Sequence, residues 1–268
     1  MMSNNLDKTV TISIVTYNSQ YVFKTLDSIK ATVLGQYPVK VLVHDNGSTP
    51  EYLAQLKAYA ADDVEIIEGQ ENLGFGHGHN ANLKLTASDY FLICNPDIIL
   101  NQNAFEQMYR ILADQDANDS LGMLTPKIVG PDGTTQHLVR RKLDVFDYML
   151  RFVPFKWVKK LFEKRLAAYE CRDLTDRRQV IQYGSGAFMF TRTDVIRAID
   201  GFDERFFMYF EDNDLCDRIN QSGHTILYVP DAVVTHFYGM ASHRSFKGFK
   251  IFLKSMAQYF NKWGWRFF

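Results

Sequence analysis

The sequence predicts an α/β fold built on an open, mainly parallel sheet with helices on both faces, and three observations carry that prediction. Short apolar, β-rich runs alternate with segments of helical period through the first hundred residues. Three of these runs end in polar loops, Thr16 to Ser19, Asp45 to Ser48 and Asn95 to Asp97. The 268 residues, 46% hydrophobic, suffice to bury a sizeable core.

Taken in order, Val10 to Thr16 reads as a strand broken by Tyr17-Asn18-Ser19, and Val22, Leu26, Ile29 and Val33 then recur at helical spacing. Val39 to Val43 is a second strand, ended by the strong turn signal Asp45-Asn46-Gly47-Ser48. Helical sequence resumes near Pro50, and Val64 to Ile67 reads as a third strand. Past a glycine-rich loop, Asn80 to Ala87 reads as a helix and Tyr90 to Cys94 as a fourth, buried strand. A second group starts at Gly184-Ser185-Gly186 and the apolar run Ala187 to Phe190, and continues through Gly201-Phe202-Asp203-Glu204 to Glu211-Asp212-Asn213-Asp214. A helix through Leu215 and Ile219 should end near Gly223, with Thr225 to Val229 and Ala232 to His236 strand-like on either side of Pro230-Asp231. With no internal repeat and no low-complexity linker, the expectation is one domain over residues 1–239 and a C-terminal amphipathic basic segment over 240–268.

A formal net charge of -1 gives no case for bulk attraction to nucleic acid. Cys94, Cys171 and Cys216 have neither the number nor the spacing of a disulfide framework or a zinc site, and they fit a reducing cytoplasm. Met1 to Lys8 is polar and carries both charge signs, unlike a signal peptide, and no apolar stretch is long enough to cross a bilayer.

In an open α/β sheet, ligands bind beyond the carboxyl ends of the strands, so the three polar loops should converge. Asp45 either presents a carboxylate to a pyrimidine N–H, a charge-assisted contact, or caps its own turn. Gly74, Gly76 and Gly78 permit close backbone approach, but their spacing is not the dinucleotide fingerprint. His77 and His79 do not define a metal site, and Asn80 is placed to cap the helix that follows. Asp97, directly after an apolar strand, suits a divalent cation that also binds a diphosphate; the plain alternative is a polar turn. Glu211, Asp212 and Asp214 sit at a helix start, where carboxylates gain from the helix dipole, yet one of them could act as a general base. His236, at a strand end, offers an imidazole to the cation.

The ordered set Thr16-Tyr17-Asn18, Asp45-Asn46-Gly47-Ser48, Asn72-Leu73-Gly74-Phe75-Gly76, Asn95-Pro96-Asp97, Gly184-Ser185-Gly186-Ala187, Gly201-Phe202-Asp203-Glu204, Phe210-Glu211-Asp212-Asn213-Asp214-Leu215 and Val234-Thr235-His236 resembles the inverting family 2 glycosyltransferases of the GT-A fold. The subset with Asn-Pro-Asp is most similar to bacterial rhamnosyltransferases of O-antigen and cell-wall polysaccharide synthesis. The resemblance implies a donor-binding half over about residues 10–100 and an acceptor and catalytic half over about 101–239. It implies that Asp45 binds uracil or thymine and that the loop ending at Asn18 helps enclose the nucleoside. Thr16, Tyr17, Asn46, Phe75, Asn80, Asn95 and Gly186 join the donor site by the same resemblance, with Gly74 and Gly76 lining its pocket. Asp97 and His236 would hold Mg²⁺ or Mn²⁺, Asp212 would be the general base, and Glu211 would shape its field. The implied donor is dTDP-β-L-rhamnose, or another pyrimidine nucleotide sugar. Asn95 stands where many GT-A enzymes carry the first aspartate of Asp-x-Asp, so a single carboxylate should leave the cation dependent on the bound diphosphate. A non-catalytic nucleotide-sugar-binding protein of the same fold is the alternative.

Two segments interleave rings and cations. Phe146, Tyr148, Met149, Leu150, Phe152, Phe155, Trp157 and Val158 alternate with Arg151, Lys156, Lys159, Lys160 and Lys164. From Arg244 to Phe268 every charge is basic, among Phe246, Phe249, Phe252, Leu253, Met256, Phe260, Trp263 and Trp265. Such chemistry suits the headgroup level of an anionic membrane, which here would be the inner face of the cell membrane. The other readings are a helix packed on its own domain, or a homodimer contact. The acceptor implied by the resemblance is a polyprenyl-diphosphate-linked saccharide.

Overall fold

The computed structural model describes residues 7–101, 103–115, 120–174, 176–237 and 246–268. Strands β1 (Val10–Thr16), β2 (Val39–Asp45), β3 (Val64–Glu68) and β4 (Tyr90–Cys94) form the parallel half of a mixed sheet, in the order β3-β2-β1-β4. The sheet continues through β8 (Phe188–Arg192), β6 (Leu121–Val129), β9 (Thr225–His236) and β5 (Ile98–Leu100), with β7 (Gln179–Ile181) also pairing β9. Beyond β4 only the β6–β9 pair is parallel.

Alternation along β4 explains the two-layer covering. Tyr90, Leu92 and Cys94 enter one core with helices α1 (Tyr21–Thr32), α2 (Pro50–Lys57) and α4 (Ala104–Gln115). Phe91 and Ile93 enter the other, shared with α5 (Val145–Phe152), α7 (Glu163–Tyr169), α8 (Thr193–Ala198), α9 (Glu211–Gln221) and α10 (Phe246–Trp263), and α6 (Lys156–Leu161) packs against it through Val158. A strand buried on both faces must be apolar at consecutive positions, which is why Tyr90 to Cys94 reads as an unbroken run.

Two sequence expectations shift. The helix expected over 80–87 is α3 (Phe75–Leu85), which begins inside the glycine loop. Gly74, at φ 102, makes that entry, and a Cβ there would collide with the carbonyl oxygen of Phe207. The two strands expected around Pro230-Asp231 are one strand, β9. Its register against β6 slips between the pairs Pro126–Val229 and Lys127–Val233, and the proline falls in that slip rather than ending the strand.

Helix α10 docks on the domain. Phe252, Met256, Tyr259 and Phe260 are buried, each contributing about 1.5–3 kcal/mol by removal from water. Ser255 Oγ donates to Met208 O at 2.7 Å, and Trp263 Nε1 donates to Asp214 Oδ1 at 2.9 Å. The expected boundary at 239/240 and Arg244 lie outside the described residues, as do the side chains of Arg151, Phe152, Phe246 and Lys247. Among the described residues no helix is long and apolar enough to cross a membrane. The three cysteines are free and buried.

Candidate active site

A cleft of about 630 Å³ opens where β1, β4 and β9 end. Thr16, Tyr17, Asn46, Phe75, Asn95, Asp97, Gly186, Glu211, Asp212 and His236 line it, so the expected polar loops do converge.

Sheet register brings Asp97 and His236 together. Ile98 on β5 pairs with His236 on β9, and Phe237 N donates to Asp97 O at 2.9 Å. Pro96 is pinned from the other side by Thr25 Oγ1, which donates to its carbonyl at 2.9 Å. Asp97 Oδ1 lies 3.3 Å from His236 Nε2, and this oxygen is buried without a hydrogen-bond partner. Gln136 orients the imidazole: its Nε2 donates to His236 O at 3.0 Å, which turns its Oε1 toward His236 Nδ1 at 2.8 Å. That acceptor favours a proton on Nδ1 and a lone pair on Nε2. A carboxylate oxygen and an imidazole nitrogen then face one another as two acceptors, an arrangement a cation satisfies. Among the described residues no three His, Cys, Asp or Glu side chains form a metal-binding group, so a cation between these two atoms would need other oxygens to complete its shell.

The acidic group at the start of α9 divides into three environments. Asp214 is turned away from the cleft, bound by Arg218 Nε at 2.8 Å, Lys262 Nζ at 2.6 Å and Trp263 Nε1. Glu211 is buried, and its Oε2 has no hydrogen-bond partner. Burial, and then the charge of Asp212, push its carboxyl well above the usual range. Asp212 accepts from Gly186 N at 3.1 Å and Asn213 N at 2.8 Å. Burial raises its pKa too, but those two N–H groups and the positive charge of Arg140 oppose the rise. Glu211 therefore keeps a proton more readily, and Asp212 is the carboxylate available to accept one. Tyr209 and Phe210, just before the helix, both hold positive φ, at 71° and 67°. Two successive non-glycine residues there store strain of a kind found where a side chain must be aimed.

The remaining expected residues separate into those at the cleft and those behind it. Asp45 does not line the cleft. Its Oδ2 accepts from Ser48 N at 3.0 Å, the turn-capping reading, while Oδ1 is buried without a hydrogen-bond partner. Asn46 lines the cleft and reaches back to Gly74 O at 3.1 Å. Asn18 is spent on the loop, its Oδ1 accepting from Thr49 N at 3.0 Å. Gly74 and Gly76 do not line the cleft: each makes room for the other half of the domain, Gly74 for the main chain of Phe207 and Gly76 for the ring of Phe202. Asn80 is no helix cap, since it lies within α3 and exchanges hydrogen bonds with Phe202 N and O at 2.8 and 2.9 Å. His79 is fully buried against Ser13 Oγ, and burial pushes its imidazole down to about 3; His77 meets Glu204 at 2.8 Å.

Gln136, Arg140 and Tyr148 escape a sequence reading. Gln136 and Arg140 lie in a stretch without motif or periodic pattern, and Tyr148 reads as one ring among many; only the tertiary fold turns all three toward the site.

Comparison with known proteins agrees with this fold. Residues 11–196 match glycosyl transferase family 2, and residues 169–244 match the N-terminal domain of galactosyltransferase. The N-acetylglucosaminyl-diphospho-decaprenol L-rhamnosyltransferase of Mycobacterium tuberculosis is 28% identical over 212 residues, covering 74% of this chain and 66% of the relative. This chain thus spans just under two thirds of that relative's length. Rhamnosyltransferase WbbL of Escherichia coli is 26% identical over 263 residues, 93% of this chain and 92% of WbbL. The crystal structure of GalNAc-T7 with UDP, GalNAc and Mn²⁺ has a TM-score of 0.66 at 15% identity, over 87% of this chain and 44% of that one, a likeness of fold. Because the family match spans more than half of its length, the chain belongs to glycosyl transferase family 2.

Proposed function

We propose that the protein is an inverting glycosyltransferase that moves L-rhamnose from dTDP-β-L-rhamnose to a lipid-linked saccharide. The observation that carries this reading is the facing of Asp97 Oδ1 and His236 Nε2 at 3.3 Å in the cleft that also holds Asp212. The names of two relatives specify rhamnosyl transfer, and one names a diphospho-decaprenol acceptor. Asp97 and His236 would hold Mg²⁺ or Mn²⁺, which when bound neutralises charge on a departing nucleoside diphosphate. Asp45 Oδ1 would accept the ring N–H of the pyrimidine.

The chain's own part is positioning and proton transfer. Asp212 takes the proton of the acceptor hydroxyl as its oxygen bonds to the anomeric carbon and the bond from that carbon to the diphosphate breaks on the opposite face. Burial favours the protonated form of Glu211, which keeps a second negative charge away from that oxygen. Exposed Phe155, Trp157 and Leu161, set among Lys156, Lys160 and Lys164, would meet a membrane surface beside the acceptor. The buried rings of α10 would not reach it while the helix is docked.

The test is incubation with separate nucleotide sugars and a polyprenyl-diphosphate-GlcNAc acceptor, read by mass spectrometry. A deoxyhexose adduct formed only from dTDP-L-rhamnose is expected. Transfer from a UDP-sugar instead would move the donor assignment, and nucleotide-sugar binding with no transfer to any acceptor would favour the non-catalytic reading.

A further inference from the structure

We propose that Arg140 recognises the phosphate borne by the acceptor sugar. The inference rests on the function proposed above and adds a specificity determinant to it. Arg140 is only 5% exposed, yet no described carboxylate forms an ion pair with it. An arginine this deep is ordinarily paired. The contacts that fix it are neutral. Nη1 donates to the carbonyls of His137 and Val139, each at 2.6 Å, and the guanidinium lies 4.7 Å from the Tyr169 ring centre. Its main chain exchanges hydrogen bonds of 3.0 and 3.1 Å with Tyr183. This is a rigid seat for a cation that no described carboxylate contacts directly, although its charge reaches Asp212.

Its place in the cleft indicates which anion it awaits. Among the described residues lining the cleft Arg140 is the one lysine or arginine, alongside three carboxylates, Asp97, Glu211 and Asp212. The strand-like pairing with Tyr183 leads directly into Gly184-Ser185-Gly186, and Gly186 N holds Asp212. The guanidinium is therefore built into the wall that carries the base, not into the Asp97–His236 wall proposed for the donor diphosphate. A phosphate on the anomeric carbon of the acceptor lies within one sugar ring of the hydroxyl facing Asp212. A planar guanidinium binds such a group through paired, charge-assisted hydrogen bonds.

The test compares two ligands carrying the same sugar, phenoxyundecyl-diphospho-GlcNAc and the neutral octyl GlcNAc glycoside. Each is titrated calorimetrically into wild-type protein and R140Q, with dTDP and Mn²⁺ saturating the donor site. Wild type should bind the diphosphate ligand more tightly than the glycoside, by roughly 10- to 100-fold. R140Q should lose that preference while binding the glycoside and dTDP as before, and R140K should retain part of it. If R140Q does not give the wild-type thermal transition, R140K and the wild-type preference decide. Equal binding of the two ligands by wild type, or a preference that survives R140Q, overturns the proposal. Weakened dTDP binding in R140Q also overturns it, by moving Arg140 to the donor diphosphate. Turnover with dTDP-L-rhamnose by the wild-type protein, measured in parallel, tests the proposed function separately: a preference for the diphosphate ligand that is lost in R140Q, with no transfer by wild type, upholds Arg140 and rejects the reaction.

Discussion

Replacing Asp212 by Asn separates the two roles open to this carboxylate, base and main-chain anchor for Gly186 and Asn213. Both oxygens of Asp212 accept main-chain hydrogen bonds, from Gly186 N and Asn213 N. Asparagine can satisfy one of them but must point its NH₂ at the other, which costs about 1–3 kcal/mol for the mismatched donor. Against that, the change removes a charge from a site where burial already opposes it, so the net loss of stability should stay near or below 1 kcal/mol. Loss of a general base costs about 10²- to 10⁴-fold in turnover. D212N should therefore keep its fold and its donor affinity, melt within a few degrees of wild type, and lose at least a hundredfold in kcat with little change in the KM for the nucleotide sugar. The assay is initial-rate transfer to a lipid-linked GlcNAc acceptor, with circular dichroism and nucleotide calorimetry on the same preparation. Near-normal turnover in a folded D212N would refute the assignment and turn attention to Glu211, because Asp214 is consumed by Arg218, Lys262 and Trp263.

Four further outcomes follow from the same geometry. Q136L should weaken Mn²⁺ binding in the presence of nucleoside diphosphate by roughly 10- to 100-fold, since His236 loses its orienting acceptor; unchanged affinity would show that Gln136 does not set the ring. Transfer should fall on acidification through an Asp212 pKa raised by burial, and Glu211→Gln should leave that acid limb in place because burial favours the protonated form of Glu211; disappearance of the limb in E211Q would make Glu211 the base. The sign for stability is the reverse: a carboxyl whose folded pKa is raised binds more protons folded than unfolded. Its contribution is therefore lost as pH rises from the ordinary carboxylate range through the raised value, and E211Q should flatten that decline in a melting series. Tyr259→Phe should destabilise by about 1–3 kcal/mol, by stranding the Asp217 oxygen its hydroxyl contacts at 2.5 Å, and a wild-type melting temperature would mean that α10 contributes little to the fold.

How much of this was legible in the sequence depended on the range over which the information acts. Strands β1 and β4 coincide with apolar runs ended by local turn signals, and α9 follows its acidic start and Gly223. The start of α3 was misplaced because Gly74, Gly76 and Gly78 signal a loop locally, whereas Phe202, Phe207 and Val15 are what require them to lack a side chain. Asp97, Asp212 and His236 were legible as polar residues at element ends, and the fold brings all three to one cleft. Gln136 was not legible, because its relation to His236 exists only through the tertiary fold, a hundred residues apart in sequence. The basic aromatic tail was legible as amphipathic, but composition cannot distinguish a bilayer from the protein's own core as the apolar partner; Phe252, Met256 and Phe260 face the core.

Asp97 and His236 are proposed to supply two ligands of a cation site that a diphosphate completes. Titration of Mn²⁺ into the protein by calorimetry, with and without saturating dTDP, tests it most directly. Tight binding only in the presence of dTDP, abolished in D97N and in H236A, is the predicted result. Mn²⁺ binding that is equally tight without nucleotide, or that survives both substitutions, would contradict it.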